Sequence, residues 1–86
     1  MMGLDLFYSD KWDNNNWICI VGAPRHAGTV ALYLWSRTYL DKDLLNELRH
    51  HISKNHQDTL HPNDEKLLTF LDAWIDQHGP KHFIYI

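Results

Sequence analysis

The stretch that most restricts the fold runs from Pro62 to Ile86. Leu67, Leu68, Leu71, Trp74, Ile75 and His78 recur at spacings of three and four, which places them on one face of a helix. Pro62 suits the first helical position, and Asp64 and Glu65 suit the positive end of the helix dipole. Gly79 is placed as a left-handed terminator, and Pro80 prevents continuation. Phe83-Ile84-Tyr85-Ile86 then reads as a strand, and a strand this short needs sheet partners elsewhere in the chain.

Those partners come from the N-terminal half. Residues 3–8 alternate, with Leu4, Leu6 and Tyr8 on one side and Asp5 and Phe7 on the other, as in a half-buried strand. Residues 9–16 are rich in Asp and Asn and form a turn, expected at a hairpin tip that carries Trp12. Residues 17–21 are apolar on both faces and suit a central strand. Residues 29–36 are ambiguous. They read slightly better as a strand, which would make 17–36 a hairpin around a glycine loop; the alternative is a helix from Thr29 to about Leu40. Asp41 or Asp43 caps a helix to about Asn55, with Leu44, Leu45, Leu48 and Ile52 as its apolar stripe. The expected architecture is a single α+β domain over 1–86. Three or four mostly antiparallel strands carry two helices, about 42–55 and 62–78, on one face, with the C-terminal strand beside an N-terminal one.

Composition narrows the function. Four Trp, four Tyr and three Phe can fill the dense core that 86 residues require. They also leave room for a second copy to bury some of them, so a homo-oligomer stays open. A formal charge of −3 disfavours nucleic acid. The single Cys19 excludes an internal disulfide and reads as a small buried hydrophobe in a reducing compartment. No signal peptide and no apolar run of about 18 residues is found, so a cytoplasmic location without membrane attachment is expected.

Chemistry is sparse. Gly22-Ala23-Pro24-Arg25-His26-Ala27-Gly28-Thr29 has the parts of an anion site: glycines that admit backbone N–H groups, a bidentate Arg25 and the Thr29 hydroxyl. It is not a P-loop, because it lacks the lysine and the glycine spacing. Val21 to Thr29 resembles the phosphosulfate-binding loop of sulfotransferases, with His26-Ala27 standing where that loop has a single serine. The resemblance implies a sulfate or phosphate ligand, whereas turn chemistry alone implies a hairpin loop with Gly for positive φ and Pro for rigidity. Seven histidines show no metal spacing: His78 and His82 are four apart but straddle Gly79-Pro80, and His51, His56 and His61 converge only through tertiary folding. His78 reads as a partly buried core histidine. No Gly-x-Ser-x-Gly elbow is present, so neither an enzyme nor a cofactor is expected. The leading expectation is a small non-enzymatic protein that binds and blocks a larger protein, of inhibitor, immunity or phage anti-defence type. Its contact residues would be Trp12, Asn14, Asn15, Asn16, Arg25, His26, Asp72 and Asp76. The alternative is an anion- or nucleotide-binding module using the Gly22–Thr29 loop.

Overall fold

The computed structural model describes residues 5–11, 15–25, 28–55 and 62–86. Its elements in chain order are β1 (Leu6–Ser9), β2 (Ile18–Cys19), α1 (Thr29–Leu34), β3 (Thr38–Leu40), α2 (Lys42–Asn55), α3 (Pro62–His78) and β4 (Lys81–Tyr85). The strands form one antiparallel sheet in the order β2-β1-β4-β3. β4 is therefore paired on both sides: Leu6 faces Tyr85 and Tyr8 faces Phe83 on one flank, and Thr38 faces Phe83 on the other. The chain is an α+β protein with a small four-stranded sheet.

Alternation along β1 and β4 puts Leu6, Tyr8, Phe83 and Tyr85 on the sheet face that meets the helices. The fully buried residues Leu6, Phe83 and Tyr85 join Val30, Leu34, Leu45, Ile52, Leu67, Leu68 and Leu71 in one core. Trp74 of α3 touches this face directly, its ring 4.8 Å from Tyr8 and 5.4 Å from Phe83. The ends of the two long helices follow their sequence signals. Asp41 caps α2, accepting the Leu44 N–H at 2.9 Å. Gly79 ends α3 at φ 83°, its N–H donating to the Ile75 carbonyl.

The structure corrects four expectations. Residues 29–34 are a helix rather than a strand, so 17–36 is not a hairpin, and β2 pairs with β1 instead. Val30, Ala31 and Leu34 form the narrow buried stripe of α1, but apolar residues on its solvent side hide the helical period. β2 is an edge strand of two residues rather than a central one. Cys19 is accordingly exposed, because it sits opposite Phe7 on the face turned away from Leu6 and the core. Finally, His78 is exposed, although its ring lies 4.3 Å from that of Trp74, and among the described residues the buried histidine is His82. β3 was not anticipated. It starts after Arg37, which turns the chain out of α1 at φ 63°, a left-handed conformation uncommon for a side chain of that size.

Candidate functional site

The glycine loop comes first. Gly22 has φ 87°, which supplies the positive angle that turn chemistry requires. The buried Tyr85 hydroxyl donates to the Pro24 carbonyl and ties the loop to the core. Burial, with Asp5 nearby, pushes the Tyr85 phenol above its ordinary value. The Arg25 guanidinium lies 3.0 Å from the Asp5 carboxylate. At the end of the loop, Asp64 reaches across from the first turn of α3, and its Oδ1 accepts the Val30 N–H at 2.9 Å. Asp64 is fully buried, and a Cβ on Gly28 would stand 2.9 Å from its Oδ1. Arg25 and the Val30 N–H thus each meet a carboxylate of the chain itself. His26 and Ala27 lie outside the described residues.

The other expected contact residues fall into separate settings. Asp72 and Asp76 face Lys42 of α2: Lys42 Nζ is 2.8 Å from Asp76 and bonds the Asp72 carboxylate, while Arg49 lies 3.6 Å from Asp72. The Lys42 hydrogen bond holds the Asp72 carboxyl below the usual carboxylate range, and Asp72 and Asp76 raise the Lys42 ammonium. These two aspartates therefore tie α2 to α3. Asn15 and Asn16 are exposed, while Trp12 and Asn14 lie outside the described residues.

A different surface emerges on α1. Leu32, Tyr33 and Trp35 point away from Val30, Ala31 and Leu34 and remain 68, 42 and 54 % exposed. Leu32 and Trp35 are three apart and share one side of the helix, while Tyr33 leans towards α2. There it helps to form a groove of about 390 Å³ floored by Leu44 and Leu48, with Glu47, His50, His51 and Lys54 around the rim. A helical reading of residues 29–36 would have exposed this ridge in the sequence, because a rotation of about 100° per residue sets Leu32 opposite Leu34 and Val30.

His82 shows how burial and charge act together elsewhere in the sheet. It is 6 % exposed beneath the ring of Tyr39, 4.8 Å away. Desolvation, and then the Arg37 charge, hold its pKa below the ordinary 6.5. A depressed histidine value favours the folded state above 6.5 and works against it as the pH falls, since the unfolded chain takes up the proton first. Asp72 adds a second loss below its ordinary 3.8, where its pairing with Lys42 is protonated away. Melting temperature is expected to fall between pH 7 and pH 5 and again below pH 4. Thermal melts of His82→Gln should show a flatter upper limb with the lower one kept.

Comparison with protein-family models, characterised proteins and solved structures found no match. Among the described residues, no helix is long and apolar enough to cross a membrane, and no group of three His, Cys, Asp or Glu side chains could hold a metal ion.

Proposed function

We propose that the protein is a non-enzymatic binding module that attaches to a larger protein and blocks it, of inhibitor, immunity or phage anti-defence type. One observation carries this reading: the outward ridge of Leu32, Tyr33 and Trp35 beside the Leu44–Leu48 groove. Aromatic and aliphatic side chains grouped on a surface gain most when a partner removes them from water, and Trp and Tyr are the residues in which interface energy concentrates. The exposed Cys19 and the formal charge of −3 fit a reducing, cytoplasmic setting and a protein partner rather than nucleic acid. Asn15, Asn16 and Arg25, with Trp12, Asn14 and His26, belong to a second, outlying contact region, where Arg25 must first leave Asp5. Asp72 and Asp76 contribute at most through the charge left over from Lys42.

The test is capture of the partner from the native host, followed by titration of the purified pair. Leu32→Ala removes mostly exposed atoms and should leave the melting temperature nearly unchanged, while Trp35→Ala, at a residue 54 % exposed, should lower it only modestly. Trp35→Ala is expected to weaken binding by about 2 kcal/mol, roughly thirtyfold, and Arg25→Ala by less. Undiminished affinity in both α1 variants would remove this face from the contact.

A further inference from the structure

We infer that His82 is an acid-sensitive latch: its protonation lifts the edge strand β3 from β4 while the pairing of β1 with β4 stays closed.

His82 and Ile84 point to the sheet face turned away from the helices, since Phe83 and Tyr85 occupy the other. On that face His82 stands in a row across three strands, with Ser9 of β1 on one side and Tyr39 of β3 on the other. Both His82 and Ser9 are buried. A charged imidazole in this place needs water, and the two sides differ in how readily they admit it. β1 is paired along both its edges, and the Ser9 hydroxyl is engaged with the Lys11 backbone. β3 has three residues and a single partner strand. Its Tyr39, whose ring covers His82 at 4.8 Å, is itself half-exposed. Water therefore reaches His82 at least cost by displacing Tyr39. β3 is bounded by Arg37 at φ 63° and by Asp41, the cap of α2, so it can lift while both flanking helices keep their internal bonds.

Neighbouring charge acts in the same direction. Arg37, at the entrance to β3, disfavours a second cation on the imidazole. Asp10 and Lys81, the chain neighbours of Ser9 and His82, pair with each other. With β3 lifted, His82 takes up a proton near its ordinary 6.5; with β3 closed, burial and Arg37 delay this to lower pH. The closed form therefore loses its advantage as the pH falls through 6.5, and the loss levels off once the closed form is protonated too.

Hydrogen exchange of the whole protein at pH 7 and pH 5, each corrected for the intrinsic rate, tests the latch. Protection of the β3–β4 ladder should fall about threefold or more relative to the β1–β4 ladder. His82→Gln should remove that difference. Tyr39→Ala takes away the cover without touching the core, and NMR titration of the His82 ring should then show its protonation moving up towards 6.5. Equal loss of protection in both ladders would show that acid acts on the whole sheet. A difference that persists in His82→Gln, or a His82 titration that Tyr39→Ala leaves in place, would put the trigger elsewhere. Each of these three results overturns the latch.

Discussion

Gly28→Ala is expected to destabilise the protein by about 1–3 kcal/mol, although it adds a single methyl group. The new Cβ would meet both Asp64 oxygens, at 2.9 and 3.0 Å, and Cγ at 3.2 Å. Asp64 cannot withdraw freely, because it is fully buried and its Oδ1 holds the Val30 N–H at the start of α1. Moving it would leave that donor unpaired. Asp64→Ala alone should cost less. The lost bond to Val30 is partly offset because Oδ2, which has no hydrogen-bond partner among the described residues, is no longer buried. The two changes must also be coupled: once the carboxylate is gone, the Gly28→Ala methyl enters vacated space. Urea denaturation of both single variants and the double variant should yield a coupling of about 1–2 kcal/mol, with Gly28→Ala near neutral in the Asp64→Ala background. Additive losses would show that the carboxylate does not set the limit at Gly28.

Trp74→Ala is expected to cost about 3 kcal/mol, the low end for deletion of a large aromatic because the ring is half-buried. Trp74 touches three rings at once: His78 on its own helix, Tyr8 on β1 and Phe83 on β4. Each aromatic pair adds about 0.5–1.5 kcal/mol beyond area burial. Because Tyr8 and Phe83 are opposed across the sheet, Trp74 holds α3 to two neighbouring strands. Trp74→Phe should recover more than half of the loss, measured by the same urea midpoints. A loss under about 1 kcal/mol would mean that α3 is held to the sheet by Leu71 and Ile75 instead.

The parts of the fold that could be read from the sequence are those with a clear boundary signal, and β1, whose alternation is unbroken. α3 lies between Pro62 and Gly79, α2 starts from Asp41, and β4 follows Pro80. The rest depended on tertiary context. Thr29–Leu34 presents nearly unbroken apolar residues, so helix and strand looked alike until the exposure of Leu32 and Tyr33 distinguished them. Cys19 reads as buried in the sequence but is exposed, because local composition does not reveal which strand is at the edge. The glycine loop illustrates the same limit for the candidate site. Arg25 has the chemistry of anion recognition, but Asp5, which pairs with it, is distant in sequence, as Asp64 is from the Val30 N–H that it accepts. The α1 ridge was hidden with its helix.

The strand order has a consequence for how the molecule is made. β1 and β3 are joined only through β4, whose residues leave the ribosome after those of every other described element. Until then β1 and β2 have only each other, a pairing too small to persist alone in water, and Leu6 has no Tyr85 to cover. The four-stranded sheet therefore cannot close until β4 has been made. Closure of the sheet is a late event that joins residues from opposite ends of the described chain, so it is slow relative to formation of α2 and α3.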